Sequence, residues 1–132
     1  MHVRTSVSVM LLILVFAVSP LRAQYVEIYR LDNAVKDLPE QEVLGQLAKH
    51  FGVSVDTLKQ QKNDANGSVG QLYMAHQIAK LTKSDFKSVM SEFKSGKAWG
   101  VLAKEKKIEM DQLSKDAREL ENALKKTQRA SK

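Results

Sequence analysis

The chain has 132 residues, in which 21 Lys and Arg outnumber 15 Asp and Glu, and its formal net charge at pH 7 is +6. Its 43% hydrophobic and 27% charged residues are the proportions of an ordinary globular protein, which excludes collagen-like, low-complexity and wholly disordered chains. The chain contains no cysteine. Disulfides, thiolate metal sites and cysteine nucleophiles are therefore excluded.

Residues 1–23 have the pattern of a secretory signal peptide. Arg4 supplies a positive start, Val7 to Val18 form an apolar run, and Ala23 offers a small residue before a cut. A membrane anchor is the alternative, but this run is shorter than the roughly 20 residues that a spanning helix needs. We expect cleavage near Ala23 and a periplasmic or secreted mature chain without a transmembrane segment. The absence of cysteine favours a bacterial envelope, because small exported eukaryotic proteins usually rely on disulfides.

The remaining residues predict an all-α protein of five to six short helices with a longer C-terminal helix. An N-terminal arm or short helix (24–36) precedes a single helical domain (37–126), and a basic flexible tail (127–132) follows it. No segment alternates apolar and polar residues as a half-buried strand does. The last helix, from about residue 109 to 126, carries an apolar seam with spacings of three and four: Met110, Leu113, Ala117, Leu120 and Leu124.

Capping residues predict where the helices begin and end. Asp37, with Glu40 three residues later, predicts the start of one helix, and Gly52 predicts its end. Ser54 and Ser84 predict the starts of two others. Residues of the helix after the loop 63–68 are apolar around more than half its circumference, so we expect it to be the most buried: Leu72, Met74, Ala75, Ile78, Ala79 and Leu81.

A short pattern recurs three times. It begins with the tripeptides Leu47-Ala48-Lys49, Ile78-Ala79-Lys80 and Leu102-Ala103-Lys104. Each tripeptide precedes an Asp at a helix start, namely Asp56, Asp85 and Asp111, and the middle connector is two residues shorter by this alignment. The recurrence predicts stacked helix-turn-helix-like units that complete a common core. Chance similarity among short helices rich in Ala and Lys is the alternative.

Residues Leu47 to Leu58 resemble the helix-turn-helix of bacterial DNA-binding regulators, with Gly52-Val53-Ser54 at the turn. This resemblance implies a DNA-reading second helix. That helix offers the side chains of Asp56, Lys59, Gln60, Gln61 and Lys62, which are only mildly basic, whereas DNA readers place cations on phosphates. Export also separates the chain from the chromosome, so nucleic acid is disfavoured as a partner.

The same segment resembles the helix-turn-helix part of the lysin motif, and Val69-Gly70-Gln71-Leu72 resembles the closing strand of that module. This resemblance implies binding to cell-wall glycans. The Gly-Asp-Thr start of the module is absent. Glycan binding is therefore the alternative to a general envelope-interaction function.

Residues Gly96 to Lys104 resemble a motif of small exported all-helical bacterial proteins, in which a Gly-x-x-Trp-Gly turn leads into an (Ile/Leu)-Ala-Lys helix. The resemblance implies fold and location but no activity. We expect Trp99 to seal a helix junction in the core. The alternative is a partner or ligand surface formed by Trp99, Tyr73, Lys97 and Lys104.

No set of residues predicts catalysis, a cofactor or a metal ion. His50 and His76 have no i, i+4 partner with which to share a metal, so both are predicted to lie on the surface or to form interhelix hydrogen bonds. No Gly-x-Ser-x-Gly elbow or phosphate-binding loop occurs. The chain therefore predicts a non-enzymatic interaction or structural protein. Its basic runs, 104–107 and 125–132, favour an envelope protein or an anionic polymer as the partner.

Overall fold

The computed structural model describes residues 28–130, and in this range the chain forms seven helices and no strand. Helix α1 spans 28–35. The other six are α2 (Glu40–Phe51), α3 (Val55–Asp64), α4 (Val69–Thr82), α5 (Phe86–Lys94), α6 (Trp99–Glu105) and α7 (Met110–Ala130). The all-α class and the longer C-terminal helix are confirmed, whereas the count of five to six helices is wrong. The predicted signal peptide and its cut near Ala23 lie outside the described residues.

Contacts with α4 hold α1 in place. The Asp32 carboxylate accepts hydrogen bonds from the Gly70 backbone N–H (2.9 Å) and from the Ser68 hydroxyl (2.8 Å), at the first turn of α4. A carboxylate is favoured there because the helix N-terminus carries partial positive charge. Leu31 is buried beside this contact in the core. Helix α1 therefore belongs to the folded domain, although the sequence left open whether this segment was an arm.

A methyl group on Gly70 has no room. A Cβ built at this position would lie 2.5 Å from the Ile28 carbonyl oxygen and 2.8 Å from its Cα, so the backbone of α1 would have to move. We expect Gly70→Ala to lower the free energy of unfolding by about 1–3 kcal/mol, the usual cost of overpacking. The matched control is Gly45→Ala in α2, where nothing lies within 4 Å and alanine should stabilise by about 0.5–1 kcal/mol. Urea unfolding measures both, and equal shifts would contradict the close approach of α1.

Two predicted helix starts are wrong by one to two residues. Helix α2 begins at Glu40 after Pro39, not after Asp37. The Leu38 N–H bonds to the Val35 carbonyl in a turn, and the proline that follows Leu38 disfavours a helical backbone at that residue. Helix α5 begins after Asp85, whose carboxylate accepts from the Ser88 N–H at 2.7 Å. That bond lowers the pKa of Asp85.

Gly52 and Ser54 hold their predicted positions. Gly52 has a left-handed backbone (φ 66°) at the end of α2. The Ser54 hydroxyl accepts from the Thr57 N–H at the start of α3. Both follow from local chemistry, since glycine tolerates positive φ and serine caps free N–H groups.

The five junctions from α2 to α7 share one chain reversal. At each, a backbone N–H bonds to the carbonyl five residues earlier: Val53 to Ala48, Gly67 to Lys62, Ser84 to Ala79, Lys97 to Glu92 and Ile108 to Ala103. The residue before each N–H has positive φ: Gly52, Asn66, Lys83, Gly96 and Lys107. This is the Schellman closure, which satisfies carbonyl groups left free at a helix end.

The spacing from this hydrogen bond to the next helix is also the same at each junction, and we call it the junction register. The fourth residue of the next helix is a buried aliphatic side chain at all five junctions: Leu58, Leu72, Val89, Leu102 and Leu113. Ser54 and Asp85 are equivalent N-caps in this register, each six residues after the alanine of the recurring tripeptide. The first and middle connectors, 52–54 and 83–85, therefore have equal length, and the predicted shorter middle connector is wrong.

Helix α4 is the centre of the core, as predicted. From Val69 to Ala79 every residue except Gln71 is buried, and α2, α3 and α5 all contact this helix. Helix α7 packs against α2, and the Gln46 side-chain amide donates to the Thr127 hydroxyl at 3.1 Å. Residues 127–130 are helical, so α7 extends four residues into the segment that was predicted to be a flexible tail.

Candidate functional site

The two aromatic residues proposed for a ligand surface are buried. Trp99 is 5% exposed, and its indole stacks on the Phe93 ring at 4.2 Å between centroids. Tyr73 is fully buried, and its hydroxyl donates to the Leu113 carbonyl at 3.2 Å. Trp99 therefore occupies a core position at the start of α6. A surface that presents these two rings does not form.

The two lysines of that proposed surface remain at the protein exterior. Lys97 pairs with Glu105, with 3.0 Å between Nζ and Oε2, and this contact raises the pKa of Lys97. Lys104 is exposed on α6. Because the Lys97 charge is already matched, the pair does not concentrate positive charge.

An open groove of about 430 Å³ lies between α3 and α5. We call it the α3–α5 groove. Phe86 and Met90 line its inner side, and Gln61, Asp64, Lys87, Ser91 and Lys94 surround it. Lys87, Ser91 and Lys94 recur at i, i+4 and i+7, so they lie along one face of α5. Lys94 reaches Asp64 across the groove at 3.7 Å. Lys87, the other lysine of the lining, forms no ion pair within residues 28–130, although its charge interacts with the nearby Asp85 carboxylate.

His76 lies directly behind this groove. Its ring stacks between Phe51 of α2 at 5.1 Å and Phe86 of α5 at 4.7 Å. Its Nε2 lies 2.6 Å from Gln61 Oε1 of α3, and since an amide oxygen only accepts, Nε2 donates the proton. Burial lowers the pKa of His76 to about 4, which favours the neutral ring. The predicted interhelix hydrogen bond is thus present at His76.

A second polar cluster joins α2, α4 and α7. The side-chain amide of buried Gln77 donates to Asp116, and Asp116 also accepts from Gln112 at 3.1 Å. Half-buried His50 lies beside this cluster. Burial and Lys80 lower the pKa of His50, against the opposing effects of Asp116, Gln77 and Glu119. The cluster fixes α7 against α4.

A second groove, of about 420 Å³, lies between α1, α2 and the turn before α4. Its charged lining residues are two acids and two bases: Asp32, Glu40, Lys36 and Lys62. Lys62 pairs with Glu40 at 3.6 Å, and Asp32 caps α4. The four charges sum to zero, although Lys36 forms no ion pair in the described part of the chain, whereas the lining of the α3–α5 groove has two lysines and one acid.

Helices α2 and α3 form the helix pair that resembles the DNA-binding helix-turn-helix and the lysin motif. The charges on the outer face of α3 are Asp56, Lys59 and Asp64, and they give no excess of cations for phosphate contacts. Residues Val69 to Leu72 are the first turn of α4, where the lysin motif has a strand. The resemblance to that module therefore ends with the helix pair.

In the sequence, Phe86, Val89, Met90 and Phe93 recur at i, i+3, i+4 and i+7, which indicates a buried helix face but does not identify the groove beside Phe86 and Met90. The spacing of Lys87, Ser91 and Lys94 was the available signal, but nothing local indicates that Gln61 lies opposite. Within residues 28–130 no three His, Asp or Glu side chains lie close enough to hold a metal ion. In the same range no helix is long and apolar enough to cross a membrane.

Comparisons with known proteins identify no relative. The chain matches no protein-family model, no curated protein and no solved structure. Its function is therefore inferred from its own geometry. The α3–α5 groove is the candidate site, because it combines an open volume, an apolar inner side and an excess of positive charge in its lining.

Proposed function

We propose that this chain is an exported, non-enzymatic helical interaction protein of the bacterial cell envelope. Its successive helices include two closely packed pairs, α2–α3 and α4–α5, while α7 packs against α2. The support for this architecture is the identical chain reversal at every junction, together with the buried aliphatic residue that follows each one. Stacked helix pairs commonly present grooves to partner proteins, because each pair needs its neighbour to complete the core.

The α3–α5 groove is the binding surface in this proposal, and an acidic segment of an envelope protein is the partner. The observation that carries it is the row of Lys87 and Lys94 along α5 beside Phe86, with Asp64 as the single acid in the lining. An acidic side chain of the partner would pair with Lys87 and compete for Lys94. Without Arg4 and Arg22 of the proposed signal peptide, the mature chain would carry 19 Lys and Arg against 15 Asp and Glu, and this formal charge of +4 would also attract such a partner over a distance.

Glycan binding of the lysin-motif type is the alternative, and DNA binding is a more distant one. Both use the α2–α3 pair. The helical first turn of α4 weighs against the glycan alternative, and the mixed charge of α3 weighs against DNA. These alternatives place the ligand on α2 or the outer face of α3, so position-specific crosslinking separates them from the α3–α5 groove.

A photo-crosslinking amino acid at Ser91 in the native host tests the proposal. We expect a discrete protein adduct in the envelope fraction, formed by a chain whose N-terminus is near Gln24. The double change Lys87→Glu and Lys94→Glu should reduce the adduct at least tenfold, because it places carboxylates against an acidic partner. The matched control is Lys115→Glu with Lys126→Glu on exposed faces of α7, which changes the net charge equally.

Three results would contradict the proposal. Equal adduct from a crosslinker at Asn122 on α7 would remove the groove as the site. An equal loss in the α7 control would show that only total charge matters. An intact Met1 in the cytoplasmic fraction would overturn export and make the α2–α3 helix pair the leading functional feature.

A further inference from the structure

The side chain of His76 contacts three other helices. It projects from α4 and contacts Phe51 of α2, Gln61 of α3 and Phe86 of α5. Phe86 and Gln61 also line the α3–α5 groove, so the ring of His76 lies directly behind the groove surface. A change in the state of this one ring therefore acts on all the elements that define the groove.

Within residues 28–130 no carboxylate forms an ion pair with His76. The one acid lining the adjacent groove, Asp64, is paired with Lys94. Of the other acids on the neighbouring elements, Glu40 of α2 pairs with Lys62, and Glu92 of α5 pairs with Lys106. The remaining titratable groups on these elements are two acids, four lysines, a tyrosine and a second imidazole: Glu42, Asp56, Lys49, Lys59, Lys80, Lys87, Tyr73 and His50. Protonation of His76 would thus place a positive charge on a buried ring that forms no ion pair within residues 28–130.

Two opposing effects act on a protonated ring here. The faces of Phe51 and Phe86 attract a cation, because aromatic faces carry partial negative charge. Against this, the ring loses its water shell, and desolvation is the effect that governs His76, because burial lowers its pKa from the ordinary 6.5 to about 4. The neutral ring is therefore stable in the closed arrangement, in which it lies between the two phenylalanine rings. The charged ring favours an open arrangement, in which water reaches it.

We propose that His76 is a proton-operated latch, whose protonation in mildly acidic surroundings releases the ring from between Phe51 and Phe86 and separates α3 from α5. The opened arrangement exposes the apolar inner side of the groove. Acid would therefore change how the groove meets a partner, and this consequence alone rests on the proposed function. The opening itself is a property of the fold.

The pH range of the opening follows from two pKa values of His76: about 4 in the closed arrangement, and the ordinary 6.5 in the open arrangement, where water reaches the ring. Above about pH 6.5 the ring is neutral in both the closed and the open arrangement, and acid has no effect. Between pH 6.5 and 4 the open arrangement binds a proton that the closed one does not, so opening grows as the pH falls. At pH 5 the opening equilibrium constant should be about 30-fold larger than at pH 7.5.

Amide hydrogen exchange of the full folded chain, corrected for intrinsic rates, tests the latch. We expect amides of α3 and α5 to exchange about 30-fold faster at pH 5 than at pH 7.5. Their exchange at pH 5 should depend less steeply on urea than that of α7, because a local opening exposes less surface than global unfolding. His76→Phe should remove the acceleration, and His76→Gln, which keeps an amide near Gln61, guards against a variant that fails to fold.

His50→Phe is the matched control, since it removes the other histidine of residues 28–130 and should leave most of the acceleration intact. One rate and one urea slope shared by α3, α5 and α7 at pH 5 would mean global unfolding and would overturn the latch. Acceleration that persists in both His76 variants would overturn it as well. Neither result bears on the crosslinking at Ser91, so the two proposals fail separately.

Discussion

Replacing Trp99 by alanine is expected to lower the free energy of unfolding by about 3–5 kcal/mol. The indole is 5% exposed and lies nearly parallel to the Phe93 ring, at an interplanar angle of 10°. Its removal loses both the burial of a large apolar surface and the stack that joins α5 to α6. A tryptophan on a ligand surface would cost far less, so the measurement also tests the core position.

Trp99→Phe is the matched control. It keeps a ring against Phe93, and it loses no hydrogen bond within residues 28–130, because the buried indole Nε1 makes none there. We expect a cost of about 1–2 kcal/mol from the smaller volume. Far-UV circular dichroism during urea unfolding is the suitable readout, since both variants lack the only tryptophan. Wild-type stability in the alanine variant would contradict the buried stack.

The sequence predicts a helix end well where one residue's own chemistry decides it. Gly52 and Ser54 are such cases, because positive φ and a free side-chain acceptor each depend on that residue alone. Ser84 and Asp85 are a harder case, since both are good N-caps. The structure selects Asp85 because the Ser84 N–H already bonds to the Ala79 carbonyl and so closes α4. Adjacent caps are therefore resolved by how the preceding helix ends.

Contacts between distant residues were beyond the reach of local patterns. Residues 25–31 are β-prone and short, and α1 is held by the bonds from Asp32 to residues 36 and 38 positions away in the chain. The α3–α5 groove has the same origin, because periodicity assigns Phe86 to the core without indicating that Gln61 lies next to it. Apolar spacing predicts which face of a helix is buried, but it does not predict which helix covers that face.

Replacing Leu72 by alanine should cost about 3 kcal/mol, with a range of about 2.7–5 kcal/mol for fully buried leucines. Leu72 is 0% exposed in α4 and is the fourth residue of that helix, the position that is buried and aliphatic at every junction. Since α4 contacts α2, α3 and α5, the cavity has little freedom to collapse from any side.

The matched control is Leu81→Ala, in the same helix and with the same change of side chain. Leu81 is 40% exposed, so we expect a cost below about 1 kcal/mol. Urea unfolding of both variants, followed by tryptophan fluorescence from Trp99, measures the difference. Equal costs would mean that α4 is not the centre of the core. A large cost only at Leu72 would support the junction register, and Leu58 and Leu113 should then respond to truncation as Leu72 does, because they occupy the same position after the same chain reversal.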